Sequence, residues 1–141
     1  MKKLTGILLA AGVALAFASC CNCGKMSART GSLTGGEWQL AQIEGRTFAA
    51  TGDAYTLNFA ADNRISGKGD CNRLTGTYAS DRNKGTLSFG PVAATRMMCP
   101  NQAQEDTFVK ILGAIDAYKI DGRMLMLFAD GELKMMLEKK N

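Results

Sequence analysis

Ala117-Tyr118-Lys119-Ile120-Asp121-Gly122-Arg123-Met124-Leu125-Met126-Leu127-Phe128-Ala129-Asp130-Gly131-Glu132-Leu133-Lys134-Met135-Met136-Leu137-Glu138 is the stretch that decides the fold. Two Asp-Gly pairs divide it into three short apolar-rich runs, Ala117–Ile120, Met124–Ala129 and Glu132–Glu138. Asp-Gly suits a two-residue type I′ turn, whose central residues both need positive φ, so the stretch reads as an antiparallel meander. Met124 to Phe128 is apolar on both faces, which places that strand centrally, under a helix or inside a closed barrel.

Upstream of the meander lies one helix. Asn101 follows Pro100 and reads as an N-cap with Gln104 as its capping-box partner. Phe108, Ile111, Leu112 and Ile115 fall at i, i+3, i+4 and i+7, a single apolar stripe. Glu105 and Asp106 sit in the first turn, where acidic groups suit the helix dipole.

Further upstream the texture is β. Trp38-Gln39-Leu40-Ala41 alternates, and so do Tyr55, Leu57 and Phe59 against Thr56 and Asn58. Ala61-Asp62-Asn63 turns into Arg64–Lys68, a strand follows through Leu74 to Tyr78, and Asp81–Gly85 turns into Thr86–Phe89. Turns recurring about every eight to twelve residues belong to an antiparallel sandwich or barrel. The expected domain is α+β, a curled antiparallel sheet with one α-helix inserted before the last strands.

The N-terminus carries an address. Lys2 and Lys3 precede an apolar run from Leu4 to Phe17, then Ala18-Ser19-Cys20. The run is too short to span a bilayer and has the order of a secretory signal. Its end resembles a bacterial lipobox, with Phe17 where Leu is usual. The expected organisation is therefore a lipoprotein signal peptide over 1–19, a lipidated Cys20 heading a flexible tether over 20–35, and a folded domain over 36–141. A dozen small and polar tether residues hold a domain roughly 20 Å from the bilayer on average.

Removing residues 1–19 from the 141 leaves 122, enough for one domain with a real core. The formal charge of +4 includes Lys2 and Lys3, and the remaining cations are scattered, so no nucleic-acid footprint is present. The sequence contains no histidine, which removes histidine triads and imidazole metal sites. Of five cysteines, Cys21 and Cys23 would lie at the membrane surface beside Cys20, and a soft-metal site there is disfavoured. Cys71 and Cys99 remain in the domain. An oxidising compartment favours a disulfide between them over a redox couple or a metal pair, although Cys99 precedes a helix N-terminus, where reactive thiols also occur.

Gly69-Asp70-Cys71-Asn72, with Gly76 and Tyr78 after it, resembles a G-C-N-x(3)-G-x-Y motif. Thr95-Arg96-Met97-Met98-Cys99 resembles T-x-M-x-C, Glu105 and Phe108 match an E-x-x-F helix start, and Trp38-Gln39-Leu40 matches an opening strand. Together they resemble the META domain, or HslJ-like, family over roughly residues 36–138. Asp70 departs from the glycine usual before the cysteine, and a positive φ there would strain it. The resemblance implies an incomplete β-barrel closed by one helix in a bacterial envelope protein, often a lipoprotein and in one branch heat-inducible. It implies no established catalysis. The fold is also similar to that of a lipid-binding pilot protein of type III secretion, which by itself carries no function.

Asn72, Thr95, Arg96 and Glu105 form a candidate polar patch. The structural reading is favoured, with Asn72 as a turn residue and Glu105 or Asp106 as the partner of Arg96. Met97, Met98, Met124, Met126, Met135 and Met136 read as core filler before Cu(I) ligands. The expected protein is a non-enzymatic, monomeric, lipid-anchored domain of the cell envelope, at the outer membrane, with no cofactor, serving partner binding or stress tolerance. The alternatives are a carrier or sensor for a small apolar ligand in the barrel, and a thiol-disulfide or copper-handling protein.

Overall fold

The computed structural model describes residues 31–141. The expected signal peptide over 1–19, Cys20, Cys21, Cys23 and the expected tether up to residue 30 lie outside the described residues.

Ten strands and one helix follow one another among the described residues: β1 (Glu37–Ile43), β2 (Arg46–Thr47), β3 (Thr56–Phe59), β4 (Arg64–Lys68), β5 (Arg73–Asp81), β6 (Thr86–Phe89), β7 (Ala93–Ala94), α1 (Gln102–Leu112), β8 (Ala117–Asp121), β9 (Met124–Ala129) and β10 (Glu132–Lys139). Hydrogen bonding runs β1-β3-β4-β5-β6-β8-β9-β10 and returns to β1, so eight antiparallel strands form a closed barrel. This corrects the incomplete barrel that the resemblance implies. Closure comes from the length of β10, which reaches β1 over five paired positions from Trp38↔Lys139 to Ile43↔Met135, with one bulge after Leu40. The bulge bends the strand into the curvature of the wall. β2 extends the edge of β1, and β7 continues beside β5 where β6 ends.

Period-2 alternation places the core. Trp38 and Leu40 of β1, Leu57 and Phe59 of β3, and Leu125 and Leu127 of β9 point inward and are buried. Met124, Met126 and Phe128 face the other way and are half-buried, so β9 is central but has only one fully covered face. Phe108, Ile111 and Leu112 deliver the helical stripe to the same core, and Phe108 meets Tyr55 edge-to-face at 5.6 Å. The helix ends at Leu112 with Gly113 as its cap, so Ile115, also buried, belongs to the turn that follows.

Four local expectations change. Asn101 precedes the helix but makes no side-chain cap bond, because its amide donates to Asp70 Oδ1 at 3.3 Å. Asp130-Gly131 forms the anticipated turn, both residues at positive φ, whereas Asp121 pairs with Met124 and leaves Gly122-Arg123 as the loop. Glycine first with φ +58° is the type II′ pattern. The packed domain begins before residue 36, since Leu33 is buried and its carbonyl accepts the Trp38 indole N–H at 2.8 Å. Met97 and Met98 are exposed, the latter fully, and are not core filler.

Phe108→Ala should lower unfolding free energy by about 3–5 kcal/mol, since a fully buried ring leaves a cavity. Lys110→Ala, on the exposed face of the same helix, should stay within about 0.5 kcal/mol. Urea melts of the two variants check this, and equal losses would mean that the stripe does not anchor the helix.

Candidate functional site

The β4–β5 turn, the strap 95–99 ahead of α1, and the first turn of α1 meet at one carboxylate. Glu105 is only 2% exposed. Its Oε2 accepts the backbone N–H groups of Cys71 and Asn72, each at 3.2 Å, and its Oε1 accepts Asn72 Nδ2 at 2.6 Å. A carboxylate can stay buried without a cation when several N–H donors converge on it. The first-turn position adds the favourable end of the helix dipole. The close approach requires Gly69, because a Cβ there would lie 2.4–2.6 Å from the Glu105 side chain.

Asn72, with 0% exposure, carries the network onward. Its Oδ1 accepts the Thr95 hydroxyl at 2.9 Å and the Met97 N–H at 2.7 Å, while Nδ2 also reaches the Met97 carbonyl at 3.2 Å. Thr95 in turn accepts the Arg73 N–H through Oγ1 and donates its own N–H to the Arg73 carbonyl, both at 3.0 Å. The Cys71–Cys99 disulfide closes the same junction, with Cα atoms 5.8 Å apart. Asp70 adds a parallel tie, its Oδ2 accepting the Asn101 N–H at 3.3 Å. Asp70 does not adopt positive φ, so the departure from the motif glycine brings no strain and supplies a bond instead.

The structure therefore joins Asn72, Thr95 and Glu105 in one network and leaves Arg96 out of it. Arg96 is exposed and pairs with neither Glu105 nor Asp106, because Glu105 is consumed inside and Asp106 accepts the Gln102 amide at 2.9 Å. Sequence reasoning missed the burial of Glu105. It lies three residues before Phe108 and seven before Leu112, on the apolar stripe itself, and that spacing was the available signal.

Beside the network, Tyr55 holds an unusual position. It takes positive φ (54°), its ring meets Phe48 and Phe108, and its hydroxyl is buried without a hydrogen-bond partner. Burial, with lesser contributions from the Asp70 and Glu105 charges, pushes its hydroxyl up to about 12. On the outer side of the junction, Cys71 and Met97 form one wall of an open groove of about 530 Å³ over β3, β4 and β5.

The defined class is a small antiparallel barrel closed by one helix, with motif residues that clasp a strap to the helix start. The chain belongs to the META domain family, whose model matches residues 31–141. No curated protein matches the sequence. Among solved structures, the chain is similar to a protein from Burkholderia xenovorans determined by NMR, with 27% identity and a TM-score of 0.59, over 77% of this chain and 84% of that one. It is also similar to a DUF4847-family protein from Bacteroides vulgatus ATCC 8482, with 16% identity and a TM-score of 0.58, over 77% of this chain and 94% of that one.

Two outcomes test the junction. Glu105→Gln keeps the volume but turns an amide toward N–H donors, and should cost about 2–3 kcal/mol, whereas Asp106→Asn should cost under about 0.5 kcal/mol. Chemical denaturation of both at neutral pH checks the contrast. Tyr55→Phe should be neutral or stabilising at pH 7, because it removes a buried hydroxyl with no partner. The raised folded value means that the unfolded chain loses this proton first. Relative to neutral pH, stability is therefore fully retained below pH 10, where the hydroxyl is protonated in both states, and is lost as pH rises through about 12. The alkaline limb of a stability profile should be shallower in Tyr55→Phe, though not flat, since burial also raises Tyr78 and Tyr118.

Proposed function

We propose that this chain is a non-enzymatic binding domain, held at the cell envelope by lipid on Cys20, which presents the strap 95–99 and the surface beside it to a partner. The observation that carries the reading is how the motif residues are used. Glu105, Asn72 and Thr95 spend their polar atoms on one another and on the backbone of the β4–β5 turn and strap. A general acid or base must keep a lone pair or proton free toward a substrate, and these groups are committed to holding shape. What they hold is exposed: Met97 and Met98 project from the strap, and large exposed apolar side chains beside a rigid support are the pattern of a recognition surface. The barrel interior is filled by Trp38, Phe59, Leu57 and Phe108, which favours surface recognition over carriage of an apolar ligand inside.

Residence at the outer membrane and a role in stress tolerance are part of the same proposal, supported by the lipobox-like Ala18-Ser19-Cys20 and by family membership. Cys20→Ser should shift the protein from the membrane fraction to the soluble fraction, or leave it unprocessed, and abolish incorporation of labelled fatty acid. Unchanged membrane fractionation with label still incorporated would refute the anchor.

A further inference from the structure

The groove beside the junction has a floor set by strand register. Asn58 pairs with Ser66 and Ser66 with Thr75, which aligns three short polar side chains across β3, β4 and β5 on the outer face. One row along, Lys68 pairs with Arg73 on the same face. Met97 stands at the side as an apolar wall, fixed by the two backbone bonds of Asn72. The side chains of Asn58, Ser66, Thr75 and Arg73 have no hydrogen-bond or ion-pair partner among the described residues. The other charges of the groove are satisfied, Lys68 by Asp53 at 2.8 Å and Glu37 by Lys140 at 3.2 Å. One unpaired guanidinium is therefore set at the end of a neutral, hydroxyl- and amide-lined floor.

We infer that this groove binds an acidic saccharide. A row of short hydroxyl and amide groups, losing little entropy on binding, matches the alternating donors and acceptors of a sugar ring. The thioether of Met97 offers an apolar side to the ring's C–H face. Arg73 suits a planar carboxylate or a phosphate, which it can hold by two parallel N–H bonds. The volume, about 530 Å³, is that of a site for a small ligand of disaccharide size. An extended peptide is disfavoured, because β3, β4 and β5 are paired on both sides and offer no free edge for strand addition. Single-stranded nucleic acid is disfavoured too, since the groove has no aromatic platform. This inference deepens the proposed binding role and rests on it. It does not depend on lipid at Cys20.

Titration calorimetry on the full chain in mild detergent, with amide chemical shifts followed in parallel, tests it. The probes are the disaccharide of N-acetylglucosamine and N-acetylmuramic acid, its neutral counterpart chitobiose, and lactate alone. The acidic disaccharide should bind at millimolar concentration and shift the amides of Ser66, Arg73 and Thr75, with chitobiose and lactate each weaker by tenfold or more. Arg73→Gln should weaken the acidic sugar by roughly tenfold or more, bringing it level with chitobiose. Ser66→Trp, an exposed substitution that fills the floor, should abolish binding of both sugars while the melt is unchanged. The inference is overturned if neither sugar binds, if chitobiose or lactate binds as well as the acidic sugar, or if Arg73→Gln has no effect. Tighter binding of a tetra-aspartate peptide would overturn it as well, assigning the groove to an acidic protein. Because Cys20→Ser fractionation is read separately, failure here and failure of the anchor are distinguishable.

Discussion

The burial of the Glu105 carboxylate is the constraint on which the rest of the junction depends. A carboxylate withdrawn from water without a cation is costly unless N–H groups replace its hydration. Here the three donors come from residues 33 and 34 positions away in sequence. Any movement of the β4–β5 turn away from α1 strands an acceptor and three donors together, and the penalty for a stranded buried group exceeds the net gain from any one bond. Asn72 extends the same condition to the strap, since both ends of its amide are engaged by Met97 and its Oδ1 also by Thr95. The three segments thus hold one geometry as a unit.

That unit also bears on closure of the barrel. β1 and β10 share five paired positions, whereas β6 and β8 share only Thr86↔Ala117. The thin seam is reinforced by bonds from the turn after the helix: Leu87 N–H to the Asp116 carbonyl at 3.2 Å and Asp116 N–H to the Phe128 carbonyl at 3.0 Å. A further bond, Tyr118 N–H to the Gly85 carbonyl at 2.9 Å, lies alongside. The position of Asp116 follows from where α1 ends, and the position of α1 follows from its first turn. The same reasoning makes the β6–β8 seam the lowest-stability part of the wall, because backbone pairing there is sparse and depends on a neighbouring element.

Much of this was legible in the sequence where a period or a turn type was strong. The stripe of Phe108, Ile111 and Leu112 and the Asp130-Gly131 turn follow from local rules alone. Asp121-Gly122 was misplaced by one residue because glycine can occupy either central position of a two-residue turn, and only the Asp121↔Met124 pairing settles which. The Glu44-Gly45 hairpin turn escaped notice because β2 is two residues long and exposed, with no apolar pattern to mark it. Leu33, a lone apolar residue among glycines and hydroxyls, looked like tether, since its burial depends on the distant Trp38 indole. Glu105 was legible as a helix-start acid and illegible as a buried one, because its donors exist only once the β4–β5 turn folds against it.

The disulfide and the Glu105 network bridge the same junction but act through different states of the chain. The Cys71–Cys99 bond, with 28 residues of separation, stabilises mainly by removing conformations from the unfolded ensemble, a contribution of roughly 3–4 kcal/mol. It limits distance and leaves the orientation of the strap free. Orientation is fixed by hydrogen bonds, from Glu105 and Asn72 inside and from Asp70 to Asn101 outside. Asp70 shows how this division permits sequence change. Where the motif usually has glycine, an acid is accommodated without positive φ and adds a tie to the helix start. The close approach that does demand glycine is one residue earlier, at Gly69, against the Glu105 carboxylate. Gly69 is therefore required by the acid packed against it rather than by the turn, and position 70, facing Asn101, is free to carry a side chain.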